Sequence, residues 1–204
     1  MKKINKKIFI PISLLLLFII NTILVISNKV SLIDKSIHDF IIKFSSEITT
    51  SIMKIFTFFG STIFIVILSI ILFIIFIILK QKDKAFKTAG AIIISTIINN
   101  IIKIIIRRPR PEYITVVEKT FSYPSGHTMA STTLYGILLY LLLKSNLKKT
   151  YKIGFGIILG NLPLLVGISR IYLGAHFFTD VFGGYLLSGL ILTIVYYIDE
   201  IKKC

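Results

Sequence analysis

Three short segments carry most of the side chains that could bind an anion or transfer a proton: residues 103–111, 123–127 and 169–180. Together they hold all four arginines, two of the three histidines and a lysine that lies within an apolar run. Lysines and arginines that converge with two histidines indicate a site for phosphate. A metal site is disfavoured, because no group of His, Asp and Glu has the spacing of metal ligands.

The first segment ends an apolar run at two prolines. Pro109 and Pro111 stop a helix, because the residue before a proline is pushed out of the helical region. We therefore expect Lys103 at membrane depth and Arg110 on a rigid turn just outside it. Taken alone, the segment is also typical of a lysine that reaches to the membrane surface and of arginines that bind lipid head groups.

The second segment predicts the start of a helix at Pro124-Ser125-Gly126-His127. A helix N-terminus presents free backbone N–H groups and a positive dipole end, which suit an anion. Gly126 lets the anion approach the backbone closely, and His127 would lie beside it with a proton to give. The alternative is structural, with Ser125 acting only as the helix N-cap.

The third segment places His176 and Asp180 one helical turn apart, on the same face. A carboxylate there can hold one imidazole nitrogen and leave the other aimed at a substrate. The alternative is a buried pair that only cross-links helices. Ionisable residues near the ends of membrane helices are costly, which favours the functional interpretation.

Long apolar runs predict how these segments are positioned. The chain has 204 residues, of which 55% are hydrophobic, and a run of about 20 apolar residues crosses a bilayer as a helix. We predict an all-α membrane protein with a single domain, residues 1–204, and six transmembrane helices. The predicted spans are residues 8–27, 61–79, 88–106, 128–143, 153–168 and 177–198.

Residues 31–60, between the first two spans, show apolar residues at three- and four-residue spacing. This pattern predicts an amphipathic helical segment on the outer membrane surface, packed on the bundle or acting as a gate for a lipid. His38 falls on its polar face and receives no catalytic role. The first span follows a basic start and is interpreted as a retained anchor, with a cleaved signal peptide as the alternative.

The charge distribution predicts the orientation. The net charge is +15, and most lysines flank the spans, which explains the charge without a nucleic-acid partner. Lysines cluster at the N-terminus, between spans two and three, between spans four and five, and at the C-terminus (Lys202 and Lys203). The positive-inside rule makes that side the cytoplasm. We therefore expect both termini in the cytoplasm and the three segments with the candidate site residues on the outer side. Cys204 is the only cysteine, so the chain forms no internal disulfide.

The motifs resemble a known signature. Lys-x6-Arg-Pro at 103–111, Pro-Ser-Gly-His at 124–127 and Ser-Arg-x5-His-x3-Asp at 169–180 are similar to the tripartite signature of the type 2 phosphatidic acid phosphatase family. Vanadium haloperoxidases and glucose-6-phosphatase share this signature. The six-span layout looks most like bacterial lipid phosphatases of the phosphatidylglycerophosphatase B and undecaprenyl-diphosphatase kind.

The resemblance implies a two-step mechanism that needs no metal or other cofactor. Lys103, Arg110 and Arg170 would bind the phosphate oxygens, and Ser125 with the N–H of Gly126 would complete the cradle.

The same resemblance assigns the reacting groups. His176 would attack phosphorus and form a phosphohistidine, while Asp180 would orient it. His127 would protonate the leaving oxygen and then activate water. Arg107 and Arg108 lie outside the signature and are expected to contact a lipid head group or pyrophosphate.

The predicted function is hydrolysis of a lipid phosphate or diphosphate at the outer face of the cytoplasmic membrane. Undecaprenyl diphosphate and phosphatidylglycerophosphate are the expected substrates. We expect the protein to be embedded in the lipid bilayer. One alternative is transfer of phosphate from a lipid diphosphate to another lipid, and a weaker one is lipid transport. The sequence predicts neither the head group nor the oligomeric state.

Overall fold

The computed structural model describes residues 2–112 and 120–201, and within them all regular secondary structure is helical. The predicted basic C-terminus, with Lys202 and Lys203, and Cys204 lie outside these residues. The helices are α1 (Lys2–Ile26), α2 (Ser31–Ile42), α3 (Glu47–Phe59), α4 (Thr62–Ile78), α5 (Lys82–Ile106), α6 (Gly126–Leu143), α7 (Lys149–Tyr172) and α8 (Phe178–Ile201).

Each of the six predicted spans corresponds to one long helix. Helices α5 and α7 begin earlier than predicted, at Lys82 and Lys149, and α7 continues to Tyr172. A helix continues past its apolar part where no residue interrupts the hydrogen bonds, so polar flanks lengthen it. α5 ends where predicted, with Arg107 in the left-handed conformation (φ 51°) two residues before Pro109.

Four helical segments of the described chain are long and apolar enough to cross a membrane: Ile8–Ile26, Lys82–Ile106, Lys149–Tyr172 and Phe178–Asp199. Helices α3 and α4 form a bent pair, with 45° between them, that could supply a fifth span. The count of six stays a prediction. The predicted fourth span is α6, whose first half is rich in Thr, Ser and Gly.

Residues 31–60 form two helices instead of one continuous amphipathic helix. Helix α2 ends at Ile42 and α3 starts at Glu47, because Ser46 adopts an extended conformation and its hydroxyl accepts a hydrogen bond from the Thr49 N–H (3.0 Å). Helix α2 packs on α7 and α8, whereas α3 packs along α7. His38, expected on a polar face, is buried.

Helix α6 lies at the centre of the bundle and contacts α4, α5, α7 and α8. Small polar residues of α6 are therefore accommodated by neighbouring helices; Thr133, for example, donates to Ser95 of α5 at 3.2 Å. Helix α1 packs along α8, and α4 along α5. The outward surfaces are apolar, as on α4, where Ile63 and Ile78 are more than 70% exposed. Such surfaces suit lipid contact.

Candidate active site

One end of the bundle, called here the site end, holds the C-terminus of α5, the N-terminus of α6 and the connection from α7 to α8. A cavity of about 270 Å³ lies among these elements and extends between α4 and α5. Five of the eight predicted site residues line it: Lys103, Arg110, Gly126, His127 and His176. The other three, Ser125, Arg170 and Asp180, are buried beside it and make the contacts described below.

Among the described residues, neutral oxygen atoms accept hydrogen bonds from the two cations of the first segment. Lys103 is 6% exposed, and its ammonium donates to the Phe121 carbonyl and to Thr120 Oγ1 (3.2 Å). Arg110 donates from Nε to the Thr120 carbonyl and from Nη1 to the Ala175 carbonyl, both at 2.7 Å. These contacts fix both side chains against the chain segments that precede α6 and α8.

The contacts of His176 define its tautomer. Arg110 Nη1, which can only donate, lies 3.3 Å from Nε2. Nε2 therefore carries the lone pair, and Nδ1 carries the hydrogen. Nδ1 faces Asp180 Oδ2 at 3.5 Å and Ser122 Oγ at 3.4 Å. The nitrogen with the lone pair is thus on the side of Arg110, which lines the cavity.

His176 lies in the connection between α7 and α8 and is 1% exposed. Burial, opposed by Asp180 and assisted by the charges of Arg170 and Arg110, lowers the pKa of His176 to about 4. The imidazole is therefore neutral at pH 7, as a nucleophile must be.

The backbone of α7 positions this connection. The carbonyl of Arg170 accepts hydrogen bonds from the N–H groups of Ala175 (3.0 Å) and His176 (3.2 Å). Gly174 makes the turn with φ 65°, a conformation that residues with a Cβ rarely adopt. The Arg170 side chain is buried, and its Nη1 donates to Thr57 Oγ1 of α3 at 2.7 Å.

Asp180 is fully buried and held from several sides. Its Oδ1 accepts from Arg108 Nη1 at 2.6 Å, and its Oδ2 accepts from the Phe177 N–H at 3.0 Å. Ser122 Oγ also donates to Oδ2. A carboxylate with this many donors stays charged and keeps one orientation toward His176.

The start of α6 is built tightly. Ser125 Oγ is the N-cap and accepts from the Thr128 N–H (3.4 Å) and hydroxyl (2.9 Å). A Cβ on Gly126 would lie 3.2 Å from Oδ1 of Asn99, so a larger residue would press on this asparagine. Asn99 in turn donates to the Pro124 carbonyl at 3.0 Å. The cavity thus meets a helix N-terminus with little space for a side chain.

For Arg108, contact with a head group stays a prediction. Its guanidinium donates to Asp180 and, at 2.7 Å, to Asp34 of α2, and it lies over the Phe177 ring. Two buried carboxylates therefore hold the side chain that was expected to contact a head group. Arg107 is exposed, as expected for a lipid contact.

Motif analysis also missed several residues that contact the site: Ser122, Thr57 and Asp34. Ser122 lies 58 residues from Asp180, and Thr57 lies 113 residues from Arg170. The spacing of residues within a short motif does not predict contacts between residues so far apart in sequence. The one available signal was the polar positions in the amphipathic segment 31–60.

Comparisons with known proteins agree with this architecture. Residues 84–203 match the PAP2 superfamily. Phosphatidylglycerophosphatase B of Bacillus subtilis (strain 168) is 32% identical over 193 residues, which cover 93% of this chain and 95% of that protein.

Two crystal structures have the same fold. The transmembrane PAP2-type phosphatidylglycerolphosphate phosphatase from Bacillus subtilis superposes with a TM-score of 0.85 at 33% identity, covering 93% of this chain and 96% of that one. LpxE of Aquifex aeolicus superposes with a TM-score of 0.64 at 27% identity, covering 80% and 93%. The chain therefore belongs to the PAP2 superfamily and is a multi-pass membrane lipid phosphatase.

Proposed function

We propose that this phosphatase hydrolyses phosphatidylglycerophosphate, undecaprenyl diphosphate or both, through a phosphohistidine on His176 at the outer membrane face. The observation that carries the proposal is the pairing of His176, with Nε2 beside Arg110 of the cavity wall and Nδ1 facing the buried Asp180. The names of the Bacillus relatives support phosphatidylglycerophosphate. The outward orientation inferred from the lysines supports undecaprenyl diphosphate.

Binding would rest on the cations around the cavity. Lys103 and Arg110 would contact phosphate oxygens directly, and Arg170 would add charge from α7. The N–H of Gly126 would donate from the helix N-terminus, and Ser125 would hold that end of the helix in place. Preorganised donors of this kind stabilise the charge that develops in the transition state.

In the first step, the lone pair of His176 Nε2 forms a bond to phosphorus, and the bond from phosphorus to the leaving oxygen breaks. The leaving oxygen keeps the electron pair and takes a proton from His127, which the negative charge of the bound phosphate would keep protonated. Asp180 stabilises the positive charge that the imidazole acquires, because its carboxylate faces the Nδ1 hydrogen. The Arg110 N–H that points at Nε2 would turn to a phosphate oxygen.

In the second step, water attacks phosphorus and gives its proton to the now neutral His127. The N–P bond breaks, its electron pair returns to Nε2, and inorganic phosphate leaves. Both histidines then have their starting protonation states, which is why one imidazole can serve as acid and then as base.

The cavity also supports a lipid substrate. It is lined on one side by α4 and α5, through Thr62, Ile65, Val66 and Ile92, among others. The outward faces of both helices are apolar, with Ile67 and Ile97 more than half exposed. A head group could enter between these helices while its tail remains in the bilayer.

The test is phosphate release by purified protein in detergent, with EDTA present, from phosphatidylglycerophosphate, undecaprenyl diphosphate and phosphatidic acid. His176→Ala should lower release by at least about 10³-fold, because loss of a nucleophile removes most of the catalysis. His38→Ala is the matched control and should stay close to wild type.

Full activity in His176→Ala would contradict the phosphohistidine, and loss of all activity in EDTA would contradict a metal-independent reaction. Radiolabelled phosphate that appears in a second lipid, in place of free phosphate, would favour the transferase alternative. Lipid flux into vesicles that survives in His127→Ala would favour transport.

A further inference from the structure

Asp34 of α2 and Arg108 form a buried ionic chain that ends on the carboxylate facing His176. We propose that Asp34 and Arg108 are positioning residues, which fix the orientation of Asp180 and set the charge that His176 experiences. This inference rests on the proposed role of His176 as the nucleophile. It assigns a function to α2, a helix that contributes no residue to the signature motifs.

Arg108 connects the two carboxylates through separate nitrogens. Nη1 donates to Asp180 Oδ1 at 2.6 Å and to Thr179 Oγ1 at 2.8 Å, whereas Nη2 donates to Asp34 Oδ2 at 2.7 Å. The planar guanidinium can make both contacts at once, which a lysine ammonium could not do with the same geometry. Its Cζ atom lies over the Phe177 ring, 4.1 Å from the ring centre, which further restricts its movement.

Asp34 is itself anchored on the start of α8. It is 1% exposed, and it accepts from the Thr179 N–H to Oδ1 and from the Thr179 hydroxyl to Oδ2, both at 2.9 Å. Thr179 immediately precedes Asp180. Helix α2 therefore holds the helical turn that carries Asp180 through backbone and side-chain contacts as well as through Arg108.

Charge balance explains why Asp34 matters for the chemistry. Burial opposes the charge on Arg108, but Asp180 and Asp34 outweigh it and raise the pKa of Arg108 above its usual value. One cation is thus shared between two buried anions. Asp34 therefore offsets part of the positive charge that Arg108 places beside Asp180, the carboxylate that faces His176.

This sharing predicts opposite effects of the two neutral substitutions. Asp34→Asn leaves Arg108 less compensated, so the pKa of His176 should fall and the acid limb of kcat/KM should move to lower pH. Arg108→Gln removes the cation, so the pKa of His176 should rise and the limb should move to higher pH. If the ionic contacts of Asp34 and Arg108 only held α2 against α8, the two substitutions would not shift the acid limb in opposite directions.

Other charged groups also face His176. They are Asp180 from α8, Arg170 from α7, His127 from α6, Lys103 from α5 and Arg110 from the connection after α5. All of them are unchanged in the variants, and the substrate phosphate ionises identically in every assay. Differences in the position of the limb therefore report Asp34 and Arg108.

The experiment measures kcat, KM and the pH dependence of kcat/KM. The substrate is whichever of phosphatidylglycerophosphate, undecaprenyl diphosphate and phosphatidic acid the wild type hydrolyses fastest. The variants are Asp34→Asn, Arg108→Gln, the double variant and Arg108→Lys, with Asp39→Asn as the matched control on the exposed side of α2. Both single neutral variants should lose about 10- to 100-fold in kcat, because each removes a hydrogen bond between charged groups that orients Asp180. KM should change less than about threefold, because neither residue lines the proposed phosphate cavity.

The double variant should return the acid limb toward its wild-type position, because one charge of each sign is removed. Arg108→Lys keeps the charge and should leave the limb in place while kcat falls, which covers the case in which Arg108→Gln does not fold. Shifts of the same sign in Asp34→Asn and Arg108→Gln, or an unshifted limb in Asp34→Asn, would overturn the proposal. His176→Ala in the same series keeps the two hypotheses apart, since full activity there contradicts the nucleophile instead.

Discussion

Ser122 contacts the His176–Asp180 pair although it lies outside the signature motifs. Its hydroxyl donates to Asp180 Oδ2 and lies 3.4 Å from His176 Nδ1. Ser122 is fully buried, and its N–H donates to the Arg108 carbonyl at 2.9 Å. One serine thus joins the connection after α5 to both members of the pair, so we expect it to support catalysis without contacting the substrate.

Ser122→Ala should lower kcat with little change in KM. A hydrogen bond to a charged group is worth about 1.5–3 kcal/mol, so the expected loss in kcat is roughly tenfold to a hundredfold. Ser188→Ala is the matched control, because Ser188 is equally buried but donates to the Met129 carbonyl, away from the pair. Steady-state phosphate release measures both variants. Equal kcat in the two would show that Asp180 does not need Ser122.

The spacing of the motifs was sufficient to select the eight candidate residues, because each motif lies at a helix end and a short turn fixes its direction. The remaining contacts depend on how distant helices pack. Asp34 and Thr179 are 145 residues apart in sequence, and Arg108 and Asp34 are 74 apart. Periodicity places Asp34 on a polar face but does not report which helix covers that face.

At the scale of elements, the helices could be predicted because their apolar runs are long and end at Pro, Gly or lysine clusters. The break between α2 and α3 was missed, since the apolar spacing continues through residues 43–46 while Ser46 starts a new helix. The central position of α6 was also not evident. Its small polar residues reflect contact with four neighbouring helices.

Close approach of α7 and α8 depends on Gly167. A Cβ at this position would overlap the Tyr185 hydroxyl and lie 2.8 Å from Val181 Cγ1. The Tyr185 hydroxyl donates to the Pro163 carbonyl of α7 at 3.0 Å, so the ring cannot move away without losing that bond. These two helices carry Arg170 and Asp180 on either side of His176, and their separation therefore sets the geometry of the site.

Gly167→Ala should destabilise the protein by about 1–3 kcal/mol, the usual effect of overpacking. Gly160→Ala on the same helix is the matched control, because nothing lies within 4 Å of the added Cβ. Alanine there should leave stability unchanged or slightly raised, since it favours helix more than glycine does. Thermal unfolding in detergent, followed by circular dichroism, measures both. Identical midpoints would contradict tight packing of α7 against α8.

Across the described residues, arginines occur at one end of the bundle, whereas lysines occur at both. Lysines cluster near the start of α5 and between α6 and α7, at the end opposite the cavity, but Lys35 of α2 and Lys103 of α5 lie at the site end. All four arginines lie at the site end, where Arg108, Arg110 and Arg170 make specific contacts with site residues. Such contacts give the arginines a reason to oppose the positive-inside rule, so we expect the lysine clusters at the opposite end to set the orientation.

The proposed orientation places Cys204 in the cytoplasm and Glu112, an exposed residue at the site end, outside. A membrane-impermeant maleimide should therefore leave Cys204 unlabelled in intact cells and label it after permeabilisation. Glu112→Cys in a Cys204→Ser background should be labelled in intact cells, and Cys204→Ser alone supplies the blank. The two cysteines mark opposite ends of the same helix bundle, so the reverse labelling pattern would place the cavity on the cytoplasmic side. That result would remove the orientation argument for undecaprenyl diphosphate as a substrate.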